Sequence, residues 1–267
     1  MDLLPRIFLL WWPIVLLIGG LLLVWESAAP LRTPLESKLR HVSTNLVIFG
    51  VNALGLRFVA GGTLLLWSSR VENHAWGLLN HFQFNAVATI AVSVVLLDLV
   101  YYGIHRLNHR VPFLWRFHRA HHSDLDVDVS TGVRFHLGEV LVSTGIKAVS
   151  VPALGIPPLA VLISEMVLLM SAQFQHSNVG LPAAVDRALR SCIVTPSMHI
   201  VHHSVQLTEQ NRNYGTMLSW WDRLFGTYLR AVPQGRLTLG LEEYRRDLGV
   251  MEFYRIPFDV KVRTAVE

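Results

Sequence analysis

The sequence predicts an all-α, multi-pass transmembrane fold. Two observations carry that prediction: an apolar composition, and a series of apolar stretches of bilayer-crossing length. Of the 267 residues, 52% are hydrophobic and only 16% charged, with a mean hydropathy of +0.40. Soluble globular chains carry about 25% charged residues, so the composition lies toward the membrane class. No Ser-, Gly- or Pro-rich linker and no repeat of fixed period divides the chain. The simplest organisation has N-terminal spans over 1–83, a histidine-bearing unit with further spans over 84–230, and a cytosolic tail over 231–267.

Each span rests on its own stretch. Ile7 to Trp25 is long enough to cross; it lacks a small-residue cleavage pattern and is read as a span, not a leader. Asn45 to Trp67 is a second candidate, weakened by its glycines and Arg57. Phe84 to Tyr102 is the cleanest, interrupted only by Asp98. Val140 to Gln173 has the length of two spans, and Pro152, Pro157 and Pro158 are expected to turn it into a helical hairpin. Trp11, Trp12, Trp25 and Trp67 stand near span ends, where amphipathic rings are favoured.

Charge orients these spans. Arg32, Lys38 and Arg40 follow the first, whereas only Arg70 separates the second from the third. By the positive-inside rule the first loop is cytoplasmic, and the third span then exits into the cytoplasm where His105 begins. Arg106, Arg110, Arg116, Arg119 and Arg134 follow there, in agreement. The net charge of +4 lies between and after apolar spans, which suits anionic lipid and excludes nucleic acid as the partner. A single cysteine, Cys192, forbids an intrachain disulfide and a thiolate metal cage.

The 13 histidines are the chemical signal. His105 and His109 form an i, i+4 pair; His118, His121 and His122 form HxxHH, repeated by His199, His202 and His203. Residues three and four apart share a helix face, so each motif presents two or three imidazoles from one stripe. Such a crowd at membrane-helix ends is costly to desolvate and self-repelling when protonated. A shared metal ion removes that cost. Eight ligands exceed one zinc site and suggest two ions, while imidazole alone suits zinc, copper, iron or nickel. Isolated His41, His74 and His81 are expected to be ordinary core or interface residues. The full expectation is therefore a multi-pass helical protein with a histidine-rich metal site on its cytosolic side.

These residues resemble the fatty acid hydroxylase/sterol desaturase superfamily of membrane di-iron enzymes. The likeness covers roughly Asp98 to Tyr228 and is carried by DLVYYGIHRLNHRVPFLWRFHRAHHS, RFHLGE, FQHSNVGLP and TPSMHIVHHSVQLTEQNRNYGTMLSWWDRLFGTY. It implies two irons, with zinc a possible substitute, dioxygen as co-substrate, a lipid substrate and a separate electron-donor redox protein. Carried over by motif, the ligands are His105, His109, His118, His121, His122, His199, His202 and His203. His176 of FQHSN is a ninth. His136 of RFHLGE is either a tenth or a donor behind the ligands; the family often reads RFHP there.

Support residues follow. Asp98 shares a helical face with His105 and His109 and is expected to accept a hydrogen bond from a ligand imidazole. Asn213 is either near a metal through water or a turn residue before Gly215. Trp220, Trp221, Asp222 and Arg223 are expected to dock a C-terminal helix at the membrane surface. The implied reaction is hydroxylation or desaturation of a lipid C–H bond. The alternative from another class is a membrane metal-binding or metal-transport protein without oxidase activity.

Overall fold

The computed structural model describes residues 3–60, 63–230 and 232–259; the side chain of Arg57 and the tail beyond Asp259 lie outside them. Among the described residues the structure is helical, with isolated β-bridges and no strand ladder. The longer helices are α1 (Leu3–Ala28), α2 (Lys38–Ala60), α3 (Thr63–His74), α4 (Ala86–Arg110), α5 (Pro112–His122), α6 (Leu137–Leu154) and α7 (Pro158–His176). Shorter ones follow: α8 (Ala183–Leu189), α9 (Pro196–His202), α10 (Leu207–Gln210), α11 (Trp220–Leu224) and α12 (Val250–Arg255). Among the described residues four helices are long and apolar enough to cross a membrane: α1 from Leu10, α4, α6 and α7.

Local chemistry sets the boundaries. Asn85 caps α4, its side-chain oxygen accepting from the Ala88 N–H at 2.9 Å. Val111 precedes Pro112, which disfavours continued helix, and Pro112 then opens α5 where no N–H is needed. The α6–α7 hairpin is as expected, but Pro152 lies inside α6, and the turn is made by Gly155 at φ 77° with Pro157 and Pro158 behind it. A Cβ on Gly77 would fall 2.2 Å from the Gly155 nitrogen, so the turn before α4 packs directly on this hairpin tip.

The opposite end of the spans gathers the termini that matter. Glu26, in the last turn of α1, accepts backbone N–H groups from Val129 (3.2 Å) and Asn178 (2.8 Å) and an ion pair from Lys38 at 2.6 Å. Leu97, Tyr101, Val151, Ile156, Ala160 and Val161 form the apolar core between α4, α6 and α7.

The expected span Asn45 to Trp67 divides between α2, which starts at the end holding Glu26, and α3, which finishes beside the turn that packs on the hairpin tip; among the described residues neither helix alone is long and apolar enough to cross. The reason is the polar face of α2. Asn45 donates to Ser130 at 2.8 Å and accepts from the buried Arg134 at 2.7 Å, and Asn52 donates to the Phe135 carbonyl at 2.5 Å. α2 therefore clamps the segment between α5 and α6. The described part of the expected tail is likewise packed: Leu248, Phe253 and Ile256 bury against Ile48 and Ala120, and Arg119 donates to the carbonyls of Ile256 and Asp259.

His41 is the centre of the α2 clamp. Its ring nitrogens face Asp124 (2.8 Å) and Asp128 (3.2 Å), with all three buried. Burial alone would depress its pKa, but the two carboxylates overrule that and raise it to about 11. A folded pKa above the unfolded value of 6.5 means that this stabilisation is complete below about pH 6.5 and fades as pH rises through about 11. His41→Ala should cost about 3–5 kcal/mol near neutrality, the range for breaking a buried pair. Denaturant unfolding in detergent micelles should show the gap between wild type and variant narrowing at alkaline pH.

Candidate metal centre

Four helices end at one place. α4 brings His105 and His109, α5 brings His118, His121 and His122, α7 brings His176, and α9 brings His199 and His202 with His203 just behind. The ligand atoms fall into two groups, each within 4.8 Å: His105, His109, His118, His122 and His202, then His121, His176, His199 and His203. The repeated HxxHH motif explains the division. On α5 the i, i+4 pair His118 and His122 faces the first group and His121 the second. On α9 the i, i+4 pair His199 and His203 faces the second and His202 the first. Adjacent residues of a helix cannot point at one spot, so each HH pair spans both groups. The groups share a wall, with His122 and His203 stacked at 4.6 Å between centroids.

Orientation is set from outside. Nδ1 of His105 faces the Tyr214 carbonyl (2.9 Å), that of His121 Arg134 (3.0 Å), that of His176 Ala172 (2.7 Å) and that of His202 Arg212 (2.7 Å). His118 Nδ1 faces the Glu139 carboxylate at 2.7 Å. A carbonyl oxygen only accepts, so these nitrogens carry the proton and each Nε2 presents a lone pair inward. His121 and His176 then point lone pairs at each other across 3.1 Å. Nothing in the protein fills that gap; a cation would. The Nε2 atoms of His105 and His202, and both nitrogens of His109 and His203, are buried without a hydrogen-bond partner.

Electrostatics agree. Burial, followed by the neighbouring imidazoles, holds His121, His122, His199 and His203 well below their ordinary pKa, and His202 falls to about 3. The rings are neutral at physiological pH, the form that binds metal. The donor set is all imidazole; Cys192 is exposed and belongs to neither group. Each group could hold one ion.

Nine of the ten histidines singled out in the sequence are brought together. His136 is not. Its Nδ1 accepts from the Gly138 N–H at 3.0 Å, capping α6, and its Nε2 faces the Tyr254 carbonyl. Asp98 is also corrected. It accepts from Thr216, from the Met217 and Leu218 N–H groups and from Trp221 Nε1, all within 3.1 Å, and touches no imidazole. A carboxylate in a span needs donors, and here the loop before α11 supplies them. Trp221 and Asp222 therefore turn inward, while Trp220 is exposed. Asn213 takes its turn reading: φ is 55°, and its side chain bonds Met198 and Leu229. His41 is a buried core residue, and His74 and His81 are exposed outside both groups.

The profile of the fatty acid hydroxylase family matches residues 90–227, just over half of the chain and all nine clustered histidines. The chain belongs to the fatty acid hydroxylase family. It is 32% identical over 152 residues to the ornithine lipid hydroxylase OlsE of Rhizobium tropici, covering 56% of this chain and 45% of that protein. Human alkylglycerol monooxygenase is 32% identical over 135 residues, 49% of this chain and 28% of its own length. Cholesterol 25-hydroxylase of Rattus norvegicus is 27% identical over 157 residues, 57% and 51% respectively. The chain thus spans about half, or less, of the curated relatives it matches. No solved structure matches.

Within this family member, sequence reasoning missed Glu139. It accepts from His118 and, at 3.1 Å, from the buried Asn108. The available signal was a carboxylate heading an apolar span, a group that rarely stands unpaired. Trp115 was also missed; its ring lies 4.9 Å from that of His109 and 5.4 Å from that of His122. Loss of a hydrogen-bond partner behind a metal ligand typically weakens binding about 10–100-fold. Glu139→Gln should show that loss of metal affinity in chelator competition, while His136→Ala keeps its metal content.

Proposed function

We propose that this chain is a membrane-bound oxygenase that hydroxylates or desaturates a lipid C–H bond at two iron ions held by the nine clustered histidines. The observation that carries the reading is the pair of adjoining all-imidazole groups, within one of which the Nε2 atoms of His121 and His176 face each other across 3.1 Å. When bound there, iron supplies the reductive activation of dioxygen and the oxidation of the C–H bond. Zinc fits the same nitrogens but has no redox chemistry, and the relatives named above as hydroxylases and monooxygenases favour iron.

The protein's own groups do the rest. The carbonyls of Tyr214, Arg134, Ala172 and Arg212 hold the inward tautomer of four imidazoles. Glu139 makes His118 a stronger donor. Burial of all nine rings excludes water, which protects a strongly oxidising centre from side reactions. Residues 84–230 form the catalytic unit in this reading, with α2 and the 232–259 segment as its supports. The lipid approaches along the apolar faces of α4, α6 and α7.

Electrons come from a separate redox protein. A cleft of about 240 Å³ supports this route: it is lined by Trp115, Arg119, Gln210, Leu241, Glu242 and Glu243, so its lining includes the indole that packs on His109 and His122. The histidine end of the spans also carries Lys38, Arg40, Arg106, Arg110 and Arg116, which favours the cytoplasmic side.

His121→Ala and His202→Ala, one from each group, should each lose bound metal together with reductant-dependent oxygen uptake and oxidised lipid by mass spectrometry. Normal lipid oxidation by metal-depleted variants would falsify the reading. Trp115→Leu should keep its metal but slow reduction of the centre, followed optically.

A further inference from the structure

Three spans bring polar side chains together inside the membrane-crossing layer, apart from the histidines. Glu165 of α7 accepts from the Tyr101 hydroxyl of α4 at 3.0 Å and from the Lys147 ammonium of α6 at 2.7 and 2.9 Å. The ammonium also lies 5.7 Å from the Tyr101 ring centroid. Lys147 is ten residues into α6 from Leu137, and Glu165 eleven residues before His176. At 1.5 Å per residue both stand about 15–16 Å from the histidine end, near the middle of a hydrocarbon layer about 30 Å thick. Charges at that depth are expensive, and apolar side chains of similar volume would hold three helices at least as well.

The triad is in register with the histidines. Eleven residues are close to three helical turns, so Glu165 and His176 share one face of α7; four residues place Tyr101 above His105 on α4. Between Glu165 and His176 that face carries Leu168 and Ala172. The polar cluster thus stands membrane-ward of the histidine groups on the same two helix faces.

Its hydrogen bonding is incomplete. Glu165 Oε2 accepts one bond, from Lys147, although a carboxylate oxygen can take two. The ammonium has three protons and makes both of its hydrogen bonds to one carboxylate. The two side chains remain 12% and 25% exposed, where hydrocarbon offers no partner. An open donor beside an open acceptor matches one group well: a hydroxyl, which can accept from Lys147 and donate to Glu165. A carboxylate would be repelled by Glu165, and an ester has no proton to donate.

We propose that Tyr101, Lys147 and Glu165 form a binding site for the hydroxyl of a lipid alcohol whose oxidised carbon lies one to three helical turns away, at the histidine groups. This rests on the oxygenase reading for the second half of the statement only. The test uses the metal-loaded protein in nanodiscs and two probe pairs, cholesterol with its methyl ether and hexadecan-1-ol with its methyl ether. Affinities are read by native mass spectrometry. At least one alcohol should bind about tenfold tighter than its ether, a difference of about 1.4 kcal/mol, and the preferred pair names the skeleton. The ratio should fall to about one in the Glu165→Gln/Lys147→Met variant with metal content unchanged, and should shrink in Tyr101→Phe. Equal binding of alcohol and ether in the unaltered protein, or a preference that survives in the double variant, overturns the site. If the double variant does not fold, the unaltered protein and Tyr101→Phe decide. Oxygen uptake is measured separately, so an alcohol preference without oxidation sinks only the enzymatic reading, and oxidation without the preference sinks only the anchor.

Discussion

The structure depends on keeping nine buried imidazoles facing inward. A protonated ring would meet like charges on several sides in a water-free space. The proton of each oriented ring is therefore held outward, at Nδ1, by an oxygen that cannot give it back. Four of those oxygens are backbone carbonyls, of Tyr214, Arg134, Ala172 and Arg212. Ala172 lies in α7 itself, one turn before His176, but the other three carbonyls stand outside the helices, so their ring orientations rest on the placement of loops. The Tyr214 loop shows how far the dependence reaches: Asp222 accepts from the N–H groups of Tyr214 and Gly215, and Asp98, inside α4, accepts from the next three residues. A carboxylate in a membrane helix holds His105 by way of the chain that carries its acceptor.

The elements outside the family-matched region complete this arrangement. α2 reaches Ser130, Arg134 and Phe135, the stretch whose Arg134 carbonyl orients His121. Arg119, on α5 between His118 and His121, is tied to the carbonyls of Ile256 and Asp259. Both attachments bear on the helix that supplies three of the nine imidazoles. Buried polar contacts of this kind are poor sources of net stability but strong sources of geometry, and geometry is what converging lone pairs require.

What was legible in the sequence follows from short-range geometry. The i, i+3 and i+4 spacing of His118, His121 and His122 and of His199, His202 and His203 makes each motif a multidentate face, and the structure joins both motifs with His105, His109 and His176. Helix α4 and the α6–α7 hairpin were readable because an unbroken apolar run of bilayer length suits little besides a membrane span. The failures were long-range. His136 looks like its clustered neighbours in sequence, yet it precedes α6 and its nitrogens serve as a cap and a carbonyl contact. Asp98 shares a face with His105, but a carboxylate takes several donors, and a loop more than a hundred residues away offered three, with α11 adding the indole of Trp221. The Asn45–Trp67 stretch has the composition of a span, whereas the partners of Asn45 and Asn52 lie past residue 129, out of reach of any local reading.

The same geometry constrains how an oxygenase built on this chain would be supplied. The histidine groups lie between two unlike surroundings: apolar helix faces of α4 and α7 on one side, and on the other the cleft lined by Trp115, Glu242 and Glu243. A lipid cannot enter through the polar cleft without exposing its chain to water, and a soluble electron donor cannot enter the hydrocarbon layer. In the proposed oxygenase, lipid and electron donor would therefore have separate approaches, and neither would have to leave before the other arrives. Trp115 suits the boundary because its indole fills the wall, keeping water out, while its π-system touches the rings of His109 and His122. If the proposed centre is redox-active, this wall would both exclude water and place a π-system between the cleft and two of its imidazoles.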